Sequence, residues 1–321
     1  MISFIIIGKD IEKTIKLCIE SVIHFIKINR IIDYEIIYID SDSKDKTIDF
    51  VKKYSVKIYK IIGDVNSAVG RNIGAKKAQG EFLFFIDGDM ELLSGFYNNV
   101  FNGEFNVPYY QFISGHHRHL HYDGNFNYLY TIDEVVPDKS HYSDVTGGLM
   151  IVKKELWEKL GGMDEKLIRN QDVDFGLRMS KLGFPVLVIN HYFVNHHTIS
   201  YYESNRIKYF FTSKALFSPG ILMRKHIFNK TYLRIYHRNI IYVLLLLIMF
   251  PMVIIKALCS LCLFSTYILV QLFRTLKGIK KDKFIFQSFI YKVLFSFYTL
   301  LGLLFYYPNK PLYTVQEIHN K

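Results

Sequence analysis

Two carboxylates one residue apart, Asp87 and Asp89, close an unbroken apolar run from Phe82 to Ile86. Oxygen ligands at that spacing suit a hard divalent cation, Mg2+ or Mn2+, held jointly by carboxylates and a substrate's phosphates. Gly88 between them lets the backbone approach a ligand closely. An Asp-x-Asp alone equally describes a solvated turn, so the weight falls on what accompanies it. Asp40 ends a second apolar run, where it can accept from the N–H of a base or from ribose hydroxyls. Gly70-Arg71-Asn72-Ile73-Gly74 reads as a helix start that offers free backbone N–H groups to phosphate, with Arg71 adding charge. Asp174 stands four residues before Arg178, an ion pair on one helix face. Asp172 has no such partner in sequence and is the better candidate for a general base.

Histidines form a second group. His191, His196 and His197 follow a short predicted strand, Pro185 to Ile189, where an imidazole can complete a metal site. In His116-His117-Arg118-His119-Leu120-His121, a strand would set His117, His119 and His121 on one face. That stretch is read as a partly solvated strand near a pocket, because structural zinc wants four closed ligands and no cysteine is near.

Elements that position these residues are legible from periodicity. Ile2 to Ile7, Tyr34 to Ile39, Val56 to Ile62 and Phe82 to Ile86 are candidate strands buried on both faces. Helices are expected between them: one with Ile11, Ile15, Cys18, Ile19, Val22 and Ile26 inward, one capped by Ser43 or Asp45, and one from Gly70 to a C-cap at Gly80. Further on, Leu156, Trp157 and Leu160 mark an amphipathic helix, and Gln171 opens another. Strand–helix alternation predicts an α/β fold with a doubly wound, mostly parallel sheet and ligands at the strands' carboxyl ends.

This ordered set resembles the family 2 glycosyltransferases, inverting enzymes of the GT-A fold. The matching stretches are Ser3 to Asp10, Ile39 to Asp45, Gly70 to Ala75, Phe85 to Asp89, Gly147-Gly148, Gly161 to Glu165, Gln171 to Asp174, and His196. The resemblance implies a nucleotide-diphosphate sugar held by Gly8, Asp10, Asp40, Asp42, Arg71, Asn72, Asp87, Gly88 and Gly148. It implies Mn2+ or Mg2+ on Asp87, Asp89 and His196, and Asp172 as the base that deprotonates the acceptor hydroxyl. Three positions depart from the family's usual pattern. Gln171 replaces a Glu, Asp10 an Asn and Gly70 an Ala. Gln171 keeps hydrogen bonding but loses a charge, which bears on acceptor recognition.

Half of the 321 residues are hydrophobic, mean hydropathy is +0.13, and the formal net charge of +11 favours anionic partners. No zinc-finger spacing, RNP-like motif or base-reading basic helix points to nucleic acid. The three cysteines (Cys18, Cys259, Cys262) read as buried apolar residues of a reducing compartment. The N-terminus lacks the pattern of a signal peptide. Ile240 to Phe273 is almost entirely apolar around Pro251 and Lys256, longer than the roughly 20 residues a span needs. Arg224, Lys225, Lys230, Arg234 and Arg238 precede it. Arg274, Lys277, Lys280, Lys281 and Lys283 follow, and a second apolar stretch, Phe284 to Tyr307, carries Gln287 and Lys292. We expect a catalytic domain over 1–215, a basic linker over 216–238, membrane-associated helices over 239–307 and a polar tail over 308–321. The catalytic domain would be cytoplasmic and act on a glycan or lipid-linked acceptor in cell-surface polysaccharide synthesis. Two other readings stay open: a sugar nucleotidyltransferase, which would want a Gly-rich basic loop after the first strand, and a non-catalytic nucleotide-binding membrane scaffold.

Overall fold

The computed structural model describes residues 1–103, 107–200, 203, 208–209, 212–255, 257–278 and 285–319. The first apolar runs form strands β1 (Ile2–Gly8), β2 (Tyr34–Asp40), β3 (Lys57–Gly63) and β4 (Phe82–Asp87), joined by helices α1 (Ile15–Ile28), α2 (Thr47–Val51) and α3 (Ser67–Lys77). β1 pairs in parallel with both β2 and β4, and β2 with β3. Phe4, Ile6, Phe84 and Ile86 face Cys18, Val22 and Phe25 of α1, while Ile5, Ile7, Ile39 and Phe85 share a cluster with Val69 and Ile73 of α3. Burial on both faces is why these strands read as unbroken apolar runs.

Beyond β4 the sheet is mixed rather than mostly parallel. Strand β5 (Met90–Leu92), helix α4 (Tyr97–Val100) and the short pair β6 (Phe101–Asn102) and β7 (Val107–Pro108) lead to β8 (Phe112–Tyr122), β9 (Tyr128–Asp133), β10 (His141–Ser143) and β11 (Met150–Lys153). Helices α5 (Lys154–Leu160) and α6 (Gln171–Lys181) then precede β12 (Val186–Ile199). The order across the sheet is β10-β12-β8-β11-β4-β1-β2-β3-β13, with β5 on β12, β9 on β8, and β13 spanning Tyr313–Ile318. β11 runs antiparallel to both β4 and β8, and β13 antiparallel to β3.

Several boundaries differ from the sequence reading. α3 starts at Ser67, three residues before Gly70, because the Asn66 side chain accepts from the Val69 N–H at 3.0 Å. The Gly70 N–H therefore donates within the helix, to the Asn66 carbonyl, and is not free for phosphate. Gly80 is no C-cap. A Cβ there would stand 2.6 Å from Ser3 Oγ and 2.9 Å from the Met1 carbonyl, so its smallness serves the close approach to β1. α1 begins at Ile15, and Lys46, not Ser43 or Asp45, precedes α2. β12 is 14 residues long, so His191, His196 and His197 sit on a strand paired with β8 and not in a loop. Within the stretch read as a polar tail, β13 completes one edge of the sheet.

The chain divides into two compact units, one of residues 1–166, 171–200 and 310–321, the other of 167–170 and 201–309. The second holds α7 (Ser218–His226), α8 (Lys230–Ile255), α9 (Ala257–Gly278) and α10 (Ile285–Leu304). α7 meets α10 at two glycines. A Cβ on Gly220 would stand 2.7 Å from the Gly302 backbone, and Arg224 donates to the carbonyls of Leu303 (2.9 Å) and Tyr306 (3.0 Å). Among the described residues no helix is long and apolar enough to cross a membrane, so the membrane-associated helices expected over 239–307, spanning or lying in the interface, find no support as spans. Lys256, Lys280, Lys281, Lys283 and Phe284 lie outside the described residues, as do the side chains of Cys259, Cys262, Arg274, Lys277 and Gln287.

Candidate active site

Register alone gathers the first group of residues. Gly8 pairs with Asp40 and Ile7 with Asp87, so the carboxyl ends of three adjacent parallel strands share one rim. The loops above β1 and β2 are interlocked. Asp10 N donates to Ser43 Oγ (2.9 Å), Lys44 N to Asp10 Oδ1 (2.7 Å), and Glu12 N to Asp45 Oδ2 (2.9 Å). Asp10 and Asp42 both take positive φ, 51° and 60°, a region in which Asp is among the better-tolerated residues. Asp42 is paired with Lys44 (2.6 Å) and Lys60 (3.1 Å), whose hydrogen bonds hold its carboxyl below the usual range.

Asp40 is fully buried. Its Oδ2 accepts from Ser43 N at 2.8 Å and its Oδ1 from the Tyr38 hydroxyl at 3.3 Å. It thus organises the loop over β2 before it can meet any ligand. Burial, reinforced by the Asp40 charge, pushes the Tyr38 phenol well up, so that hydroxyl remains a donor. Gly8 and Gly88 both lie against Ile11, where a Cβ would collide with its Cδ1. The turn at Gly88 is held from below by Thr14 Oγ1, which donates to the Gly88 carbonyl at 3.0 Å. Burial raises the Cys18 thiol far out of the reactive range, in keeping with a core role.

Asp87, at the end of β4, does not stand free beside Asp89. Its Oδ1 accepts from Arg71 Nη2 at 2.5 Å, and Arg71 is only 2% exposed. Gly148 is the floor of this pair: a Cβ there would lie 2.8 Å from Asp87 Oδ2 and inside contact distance of Arg71 Nη2. Asp172, in the first turn of α6, is within electrostatic reach of both. Burial raises its carboxyl above the ordinary value, the Arg71 charge opposes that, and the Asp87 charge adds to it. Its Oδ1 accepts from the Val173 N–H at 2.8 Å. Asp174 behaves as its spacing predicts, buried and bonded to Arg178 Nε at 2.8 Å.

Asn72 is placed elsewhere. Its amide donates to the Met163 carbonyl (2.9 Å) and Glu165 Oε1 (3.0 Å), and its Oδ1 accepts from Met163 N (2.9 Å). It fastens the loop after α5 and leaves no side-chain atom for a nucleotide. Asp89 is met by β12, which pairs with β5 through His196 and Met90. His196 Nε2 lies 3.2 Å from Asp89 Oδ2. Two donors at that separation can share one divalent ion and leave its other positions to phosphate and water. The expected third ligand, Asp87, is turned onto Arg71, and among the described residues no three His, Cys, Asp or Glu side chains converge as a ligand set.

Two neighbours of His196 were not assigned to this site from sequence: His119, read only as part of a strand face near a pocket, and Glu134. His119 Nδ1 lies 3.0 Å from His196 Nδ1, and Glu134 Oε1 lies 3.2 Å from His119 Nε2. The alternation of the β8 histidines pointed to a shared face, and His117 and His119 do stack at 5.5 Å. Nothing in sequence announced Glu134, which reaches them because β9 folds back on β8.

Residues 3–161 match the profile of Glycosyl transferase family 2. A relative named an uncharacterized glycosyltransferase, from Haemophilus influenzae, is 25% identical over 154 residues, 46% of this chain and 52% of that protein. The chain thus spans about half the length of that relative. Among solved structures, GalNAc-T7 with UDP, GalNAc and Mn2+ is 17% identical at a TM-score of 0.48, over 62% of this chain and 44% of that one. The S. aureus TarS 1–349 structure with UDP is 16% identical at a TM-score of 0.48, over 71% and 65%. With β1 to β4, the Asp87–Gly88–Asp89 turn and Gly148 all inside the matched stretch, residues 3–161 of this chain belong to glycosyl transferase family 2.

Proposed function

We propose that this chain moves a sugar from a nucleotide-diphosphate sugar to a hydroxyl of a glycan or lipid-linked acceptor, with inversion at the anomeric carbon. The observation that carries it is the setting of Asp172: a carboxyl raised by burial, within electrostatic reach of the Arg71–Asp87 pair at the end of β4. A base so placed is more proton-hungry than a solvated carboxylate. In the step we infer, the acceptor oxygen bonds to the anomeric carbon as the bond from that carbon to the diphosphate oxygen breaks. The electron pair leaves with the diphosphate, and the acceptor's proton passes to Asp172. Gly8, Asp10, Asp40, Asp42 and Asn72 shape the loops around the nucleotide, and Arg71 fixes Asp87. Asp89 and His196 fit an Mn2+ or Mg2+ ion as an oxygen and a nitrogen ligand, and such an ion would neutralise the departing diphosphate.

For the second unit we propose association with a membrane surface on its cytoplasmic side. Ile241, Leu244, Leu247 and Ile248 of α8 are exposed, as are Leu269, Leu272 and Phe273 of α9. Exposed apolar side chains, preceded on α8 itself by Arg234 and Arg238, suit a helix lying in an interface. The test is hydrolysis of a panel of nucleotide sugars by the detergent-purified chain, with Mn2+ or Mg2+ and with EDTA. Metal-dependent release of a nucleoside diphosphate from one donor supports the reading; absence of any nucleotide binding refutes it.

A further inference from the structure

Past the Asp89–His196 pair, the polar contacts continue in a line. Asp89 Oδ2, His196 Nε2, His196 Nδ1, His119 Nδ1, His119 Nε2 and Glu134 Oε1 follow one another at 3.2, 3.0 and 3.2 Å. Two carboxylates thus bracket two imidazoles. We propose that His119 and Glu134 are positioning residues that orient His196 for the divalent ion, an inference resting on the metal reading above.

Hydrogen-bond direction follows from chemistry. A nitrogen that binds a cation must present its lone pair, so His196 Nε2 carries no proton when it is a ligand. The proton of neutral His196 then sits on Nδ1 and is donated to His119 Nδ1. That nitrogen can accept only if the proton of neutral His119 sits on Nε2, where Glu134 accepts it. Every group in the line has one role, and the carboxylate at the far end fixes them all. Carboxylates behind metal-bound histidines do this generally, setting tautomer and ring orientation.

Glu134 is itself well anchored. Its Oε2 accepts from the His117 N–H at 2.9 Å, its own N–H donates to the His117 carbonyl at 3.2 Å, and its carbonyl accepts from Tyr192 Oη at 2.9 Å. His116 and His117 each bring Nδ1 to 3.5 Å of the same carboxylate. Burial alone would raise the Glu134 carboxyl, but hydrogen bonds from His117 and His119 carry it far below the usual range, so it remains an acceptor. His119 is held from both sides, by β12 through His196 and by β9 through Ile132, its partner in register.

The test is Mn2+ binding to the full chain, read from the free-ion EPR signal and from nitrogen couplings of the bound ion. His196→Ala should abolish measurable binding. His119→Ala and Glu134→Ala should each weaken it by roughly 10–100-fold, the usual cost of losing an outer partner of a metal ligand. Glu134→Gln should recover most of that loss, because its amide oxygen still accepts from His119 Nε2–H. A purely structural role would not separate the Gln from the Ala variant. One coordinated imidazole is expected in the wild type. Two would make His119 a ligand and overturn the proposal, as would unchanged affinity in His119→Ala or equal losses in Glu134→Gln and Glu134→Ala. A wild-type chain that binds nucleotide but no Mn2+ would refute the metal reading and this inference with it. Full Mn2+ affinity in the outer variants would sink only this inference.

Discussion

Gly148→Ala is the most informative single change at this site, because its neighbour supplies the control. A Cβ on Gly148 would stand 2.8 Å from Asp87 Oδ2 and 3.3 Å from Arg71 Cζ, with Nη2 closer still. Non-bonded carbon contacts are comfortable at about 3.5–4.0 Å, so the guanidinium would have to retreat by roughly 1 Å. Arg71 is 2% exposed and has no open path. The same retreat would stretch its 2.5 Å bond to Asp87 past the useful limit of about 3.2 Å. Overpacking of this kind costs about 1–3 kcal/mol and a lost charge-assisted bond about 1.5–3 kcal/mol. Narrowing the unfolded chain's freedom returns about 0.4–1 kcal/mol, for a net loss of about 1.5–5.5 kcal/mol. A Cβ on Gly147, by contrast, meets nothing within 4 Å, so Gly147→Ala should be neutral or slightly stabilising. The chain's one tryptophan, Trp157, packs 4.6 Å from both Phe85 and Phe175 in the same unit, so urea titration followed by its fluorescence reports on that unit alone. In an Arg71→Ala background the Gly148→Ala penalty should largely vanish. Coincident midpoints for Gly147→Ala and Gly148→Ala would refute the reasoning.

Four other outcomes are expected. Asp172→Asn should lower turnover by about 10²–10⁴-fold, the usual worth of a general base, while its urea midpoint at neutral pH holds or rises, since a buried charge is removed. The acid limb of kcat/KM should fall at a pH above that of a solvated aspartate, because burial raises this carboxyl; a limb at the ordinary 3.8 would count against Asp172. Glu134 has the opposite shift. Its contribution to stability is present above the unfolded value near 4.5 and lost as pH falls below it, so Glu134→Gln should flatten the acid side of the stability curve in unfolding titrations. Asn72→Ala removes three hydrogen bonds from the loop after α5, a loss of about 1.5–4.5 kcal/mol that hydrogen exchange at Met163 should register as faster opening.

The first half of the fold was legible because its strands are buried on both faces and its helices on one. Ile2–Gly8, Tyr34–Asp40 and Phe82–Asp87 fall within a residue of their apolar runs. The second half was less so. β8 and β12 mix polar and apolar residues, and their pairing joins segments some 75 residues apart, which no local period encodes. At the site, residue types were readable but partners were not. Asp87 was read as a metal ligand and Asn72 as a nucleotide contact; the fold gives the one to Arg71 and the other to the loop at Met163. The start of α3 was misplaced because Asn66, an ordinary-looking loop residue, outcompetes Gly70 as the point where the helix is capped.

The position of β13 bears on how the sheet is made. β3 offers its outer edge to a strand near the far end of the chain, and Leu312 N reaches Asp64 Oδ2 across 248 residues. During synthesis β2, the other neighbour of β3, emerges early, yet that edge stays uncovered until residues 313–318 leave the ribosome. For all that time Tyr59, Ile61 and Lys60 sit on an open ladder, the kind of edge that recruits strands from other chains. The exposed charge of Lys57 at the start of β3 is of the kind that discourages such recruitment, at an edge that the finished molecule no longer presents.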